Sequence, residues 1–132
     1  MNPDRDSILE LIGALQAFSE EGTIIVEGKK DTSALERFAI PSEPLTTSID
    51  VQFERLANDS ERVLILTDRD RTGRKLLAQA RAACERLELE EERTLRTRFF
   101  AETGLRQVEG FDTLCERLGI ETDKNDTRPG TV

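Results

Sequence analysis

The chain has 132 residues, with 27 acidic and 19 basic side chains, a net charge of −8, and no histidine, tyrosine or tryptophan. Such a length is the size of one domain and buries roughly two-thirds of its unfolded surface without a disulfide staple. The missing residue types exclude serine–histidine and cysteine–histidine triads, histidine-ligated zinc and a tyrosyl–phosphate intermediate. The acidic balance excludes a generic nucleic-acid-coating surface, though not a local basic rim beside an acidic metal site.

The chemistry left is that of carboxylates, lysine, arginine, hydroxyls and thiols. Cys84 and Cys115 fall in apolar helical patterns and read as small buried hydrophobes. The N-terminus is polar and no apolar run approaches ~18 residues, so neither a signal peptide nor a membrane span is expected, and a cytoplasmic location follows.

In chain order, residues 2–6 are polar and suited to cap a helix carrying Ile8, Leu9, Leu11, Ile12, Leu15 and Phe18, with Gly22 as its stop signal. Residues 23–27 read as a first buried strand, and Gly28 to Asp31 as the turn leaving it. Ser33-Ala34-Leu35-Glu36 fits a capping box opening a helix through Phe38. Residues 45–47 suit a short second strand. Ser48 is placed to cap a helix presenting Ile49, Phe53 and Leu56, closed by residues 58–60.

Val63-Leu64-Ile65-Leu66 is an unbroken apolar run, as in a parallel strand covered on both faces. The helix after it carries Leu76, Leu77, Ala80, Ala83, Cys84 and Leu87 on one stripe. Residues 88–93 read as a solvated helix start, leading to Leu95, Phe99 and Phe100 and a stop at Gly104. Residues 105–109 are expected to form a fourth strand and residues 111–118 a last helix. Residues 121–132 are expected to be a flexible tail. Strands alternating with helices indicate one α/β domain over residues 1–120 with a mainly parallel sheet of about four strands.

Two carboxylates, Asp68 and Asp70, follow the apolar run with one residue between them. Side chains in extended backbone alternate, so both point the same way. At ~4 Å and an effective dielectric of ~20 their repulsion is about 4 kcal/mol. A divalent cation at the carboxyl end of a parallel strand would relieve it. If the first strand is a neighbour, Glu27 joins them as a further ligand or general base, and Lys29, Lys30, Arg71 and Arg74 are candidates to hold phosphate oxygens. The bland reading is that Asp70 or Thr72 caps the next helix, and that Lys30 and Arg74 are solvated surface charges.

The stretches Ile24-Ile25-Val26-Glu27-Gly28-Lys29-Lys30-Asp31 and Leu66-Thr67-Asp68-Arg69-Asp70-Arg71-Thr72-Gly73 together resemble the Toprim signature of topoisomerases, bacterial primases, OLD-family nucleases and RecR-type proteins. The form is most similar to small stand-alone Toprim proteins of archaea and to the Toprim half of ribosomal-RNA maturase ribonucleases. The resemblance spans residues 23–75. It implies a compact Rossmann-like Toprim fold, α/β, with about four mainly parallel strands and helices on both faces. It also implies Mg²⁺, or Mn²⁺, at Asp68 and Asp70, with Glu27 as acid/base and Gly28 and Gly73 as turn glycines. Maturase-like members carry proline between the aspartates and an acidic residue after the second glycine, where this chain has Arg69 and Arg74.

The expectation is an Mg²⁺-dependent protein acting on nucleic-acid phosphodiesters of RNA or DNA, alone, as a homodimer or with a partner protein. The alternative is a non-catalytic nucleic-acid- or protein-binding module that keeps the metal site. Residues 64–72 also fit the start of haloacid-dehalogenase-type phosphatases, with Asp68 as nucleophile. Those enzymes begin with this strand, however, and need a downstream lysine, which here is only Lys124 beyond the motif helix.

Overall fold

The computed structural model describes residues 3–59 and 61–122. Helix α1 (Arg5–Glu21) is capped by Asp4, whose carboxylate accepts the Ser7 amide proton, and buries Ile8, Leu11, Ile12, Leu15 and Phe18. It runs directly into strand β1 (Gly22–Val26). Gly22 ends the helix as expected, but for a packing reason. Its backbone is extended, and a Cβ there would stand 2.4 Å from the Arg62 carbonyl oxygen of the neighbouring strand.

Three strands form a parallel sheet in the order β2–β1–β3, where β2 is Glu43–Pro44 and β3 is Arg62–Leu66. β1 and β3 pair along their whole length, from Gly22 opposite Arg62 to Val26 opposite Leu66. The alternation of the two strands sorts the core. Ile24, Val26, Leu64 and Leu66 pack with α1, α5 (Thr94–Thr103) and α6 (Phe111–Arg117) on one face. Ile25, Val63 and Ile65 pack with α3 (Ile49–Asn58) and α4 (Arg71–Leu87) on the other. All four apolar residues of β3 are fully buried, each contributing roughly 1.5–3 kcal/mol of transfer free energy.

Four expectations are corrected. Helix α2 spans Lys29–Glu36, so it starts four residues before Ser33; Asp31, not Ser33, supplies the capping carboxylate, accepting the Gly28 amide at 3.1 Å. The short second strand lies at Glu43–Pro44, just before residues 45–47. Residues 105–109 are not a fourth strand. They form a loop and a 3₁₀ turn at Val108–Gly110, because the Val108 amide is given to the Asp68 carboxylate at 2.8 Å rather than to a ladder.

The charge run at residues 88–93 is not a solvated helix start. It crosses β3 as a single parallel bridge, with the Val63 amide donating to the Glu90 carbonyl and the Glu92 amide to the Val63 carbonyl. Glu91 is buried there between Arg81 and Arg93, at 2.8 and 3.2 Å. Paired charge, not periodicity, holds this segment down.

Ser48 caps α3 as read from the sequence, and of the two cap candidates for α4, Asp70 or Thr72, it is Asp70 that caps it. Cys84 and Cys115 are free and buried, and burial pushes their thiols up to about 11 and about 12. Among the described residues no helix is long and apolar enough to cross a membrane. The expected tail lies, beyond Thr122, outside the described residues.

Candidate functional site

Glu27 and Thr67 follow the paired residues Val26 and Leu66, so Glu27 and Asp68 leave adjacent strands at the same carboxyl end of the sheet. The Glu27 side chain crosses between them: its Oε1 accepts the Asp68 amide proton at 2.7 Å. Asp68, 8% exposed, continues the face of Leu64 and Leu66, and its Oδ1 accepts the Val108 amide. Asp70 Oδ1 accepts the Gly73 amide at 2.8 Å, closing the first turn of α4. Each of the three carboxylates is thus aimed by a backbone N–H. The second oxygen of each accepts no hydrogen bond among the described residues.

Gly73 fits here for want of a side chain. A Cβ would lie 2.0 Å from the Asp68 carbonyl oxygen and 2.7 Å from Glu27 Oε1. Gly28, at the other turn, is the extended N-cap of α2 with open space around it.

Electrostatics couple the group through repulsion. Burial raises the Glu27 carboxyl above its ordinary value; the hydrogen bond from Asp68 opposes this, and the charges of Asp68, Asp70 and Asp31 add to it. Burial likewise raises Asp68, against the Val108 hydrogen bond, with Asp70 and Glu109 pushing up and Arg96 pulling down. Asp31 is raised by burial and then by Asp68 and Glu109. Five carboxylates therefore share one sheet end, and three of them resist ionisation.

Asp31 and Glu109 were given no role by sequence reasoning. Asp31 stood inside the first motif, at a spacing that reads as helix capping. Glu109 is brought in by the loop, whose Arg106 carbonyl accepts the Arg69 amide at 2.7 Å.

Among the described residues no three His, Cys, Asp or Glu side chains form a ready-made metal-holding group. The donor set suits a hard ion held more sparsely. Mg²⁺ is commonly held by one or two carboxylates, with waters and substrate oxygens completing its shell.

Beside Asp70 opens a cleft of about 940 Å³ whose lining includes Lys29, Lys30, Arg106, Gln107 and Glu109. Lys29 and Lys30 are exposed on the first turn of α2. Arg71 and Arg74, exposed on the first turn of α4, do not line it. The missed basic residue is Arg106, and nothing in its local sequence pattern singles it out.

No family model matches the chain. The UPF0292 protein of Pyrococcus furiosus is 34% identical over 118 residues, covering 84% of this chain and 86% of the relative. The UPF0292 protein of Methanosarcina barkeri is 32% identical over 123 residues, covering 89% and 86%. A protein of solved structure from Aquifex aeolicus is similar with a TM-score of 0.70 at 25% identity, covering 76% of this chain and 94% of that one.

Proposed function

The chain belongs to the UPF0292 family, and from that premise we propose that it is a Toprim-type protein that uses Mg²⁺, or Mn²⁺, to act on nucleic-acid phosphodiesters. One observation carries the reading. Glu27, Asp68 and Asp70 meet at the carboxyl end of two paired parallel strands, the place where α/β sheets take ligands. Asp68 and Asp70 would hold the ion through the oxygens that the backbone leaves free. The bound ion would offset charge developing on the phosphoryl group.

The chain's own residues do the rest. Glu27, made more basic by burial, takes the proton of an attacking water at Oε2, while Oε1 stays anchored to the Asp68 amide. Lys29, Lys30 and Arg106 draw the phosphate backbone into the larger cleft. Arg71 and Arg74 add positive charge at its approach rather than inside it.

A second reading, a binding module without turnover, is favoured by the net charge of −8 on a chain of only 132 residues. Labelled single-stranded RNA and DNA, incubated with and without Mg²⁺, separate the two. Metal-dependent cleavage is expected, falling by at least ~100-fold in Glu27→Gln and in Asp68→Asn. Cleavage that persists in both variants removes these residues from the mechanism. Binding without turnover on either strand establishes the module. Release of phosphate from an aryl phosphate would turn the reading toward a phosphatase.

A further inference from the structure

On the other side of the Asp68–Asp70 loop lies a second, smaller cleft of about 350 Å³, lined by Arg69, Arg81, Arg96, Thr97, Phe100 and Ala101. The loop divides the two clefts residue by residue: Asp70 lines the larger and Arg69 the smaller. Three guanidinium groups thus gather in a chain whose net charge is −8.

Arg96 is the informative one. It is only 8% exposed. Its Nη1 donates to the Ile65 carbonyl at 3.0 Å, to the Thr67 carbonyl at 2.7 Å and to Thr67 Oγ1 at 3.3 Å. Its guanidinium carbon lies 4.9 Å from the Phe100 ring centre, and that of Arg69 lies 5.8 Å from the same ring. Among the described residues Arg96 makes no ion pair, and its Nε and Nη2 donate no hydrogen bond. A guanidinium taken out of water without a carboxylate costs several kcal/mol unless an anion compensates.

The nearby carboxylates Glu91 and Asp68 compensate it only in part, and among the described residues neither forms an ion pair with it. Arg81 donates to Glu91, but Glu91 is already shared with Arg93. Arg69 has no carboxylate partner among the described residues. Burial, with the charges of Arg81 and Arg69 outweighing those of Glu91 and Asp68, lowers Arg96 to about 10. A planar fork with unused donors, flanked by two further guanidiniums, matches the oxygens of a phosphate.

We propose that the Arg69–Arg81–Arg96 cleft is an anion subsite that holds a backbone phosphate next to the one at Asp68 and Asp70. The assignment of that phosphate to a nucleic-acid strand rests on the function proposed above. The strand then runs from the lysine-lined cleft, over the carboxylates, into the arginine cleft. Oligonucleotides with a phosphate on both sides of the scissile bond are taken in preference to mononucleotides. The positive charge is concentrated where the strand passes, so the chain needs no basic surface elsewhere.

Thermal melting in EDTA, with inorganic phosphate titrated against chloride at constant ionic strength, tests the subsite without any metal-dependent step. Phosphate should raise Tm of the wild type by a few degrees, and equally that of Arg5→Gln and Arg117→Gln, which remove an exposed charge far from both clefts. The rise should be lost in Arg69→Gln, whose side chain is exposed, and in Arg81→Gln, where Glu91 keeps Arg93. An equal rise in all five proteins, no rise in the wild type, or an equal loss in Arg5→Gln or Arg117→Gln overturns the proposal.

Binding of a short single-stranded oligonucleotide without metal gives the second readout. Each arginine variant should reduce the slope of log affinity against log salt by about 0.7. An unchanged slope also overturns it. The two proposals fail separately. A phosphate shift that depends on Arg69 and Arg81, with no cleavage of RNA or DNA, leaves the subsite and removes the nuclease. Cleavage with a phosphate shift indifferent to both arginines does the reverse.

Discussion

The two clefts that flank the loop leaving β3 differ in charge: the larger mixes Lys29, Lys30 and Arg106 with Asp70, Glu109 and Asp112, whereas the smaller is lined, among the described residues, by three arginines and no carboxylate. On the larger side, carboxylates are aimed by amides: Glu27 by Asp68 N, Asp68 by Val108 N, Asp70 by Gly73 N and Asp31 by Gly28 N. On the smaller side, Arg96 is aimed by the carbonyls of Ile65 and Thr67 and by the Phe100 ring. Asp68 follows Thr67 directly, so the same strand end fixes both. In each case the backbone satisfies part of a charged group and leaves the remainder facing like charge. The larger cleft balances its carboxylates with Lys29, Lys30 and Arg106, whereas the smaller, among the described residues, has no carboxylate in its lining.

The strongest way to break the carboxylate side alone is Gly73→Ala. The added methyl group collides with the Asp68 carbonyl and with Glu27 Oε1, neither of which can retreat without moving β3 or losing the Asp68 hydrogen bond. Unfolding free energy by urea denaturation should fall by at least about 3 kcal/mol. Next comes Arg96→Ala on the arginine side. It strips the buried carbonyls of Ile65 and Thr67 of their donor and should cost about 2–3 kcal/mol, with Arg96→Lys recovering part of the loss.

Mg²⁺ at ten times its dissociation constant should stabilise the protein by about 1.4 kcal/mol. The rise in Tm should be blunted in Asp68→Asn and Asp70→Asn but kept in Arg69→Gln, which separates the two sides by ligand sign. No rise in the wild type at millimolar metal would count against the ion.

The smallest effect is the most diagnostic. Glu27, Asp31 and Asp68 all have carboxyls raised above the ordinary range. The folded chain therefore binds their protons more tightly than the unfolded chain, and their ionisation opposes folding at pH 7. Their contribution to stability rises as pH falls through the raised values and levels off below the unfolded values of roughly 4. Glu27→Gln and Asp68→Asn preserve the accepting oxygen and remove the charge. Each should be more stable than the wild type at pH 7 while losing activity, and the gain should shrink toward pH 4. A gain independent of pH would show that repulsion is not its source.

By itself the sequence determined the α/β class, the buried run of β3, the cap at Ser48, and the placement of Glu27, Asp68 and Asp70 at strand ends, which the β1–β3 pairing then brings together. These depend on local chemistry: apolar runs, capping spacings and strand ends that place residues a few positions apart. It misjudged what depends on long-range hydrogen bonds. Residues 105–109 look like a strand until the Val108 amide is spent on Asp68, 40 residues away. Residues 88–93 look solvated until Arg81 and Arg93 close over Glu91.

Arg96 was partly legible. It shares a helical stripe with Phe99, Phe100 and Thr103, all buried, and a charge on such a stripe calls for a partner. What only the tertiary structure decided is the division of charge across the loop. Which side of β3 an arginine or a carboxylate reaches depends on how α5 and the Val108–Gly110 turn pack against that strand, and no spacing along the chain encodes it.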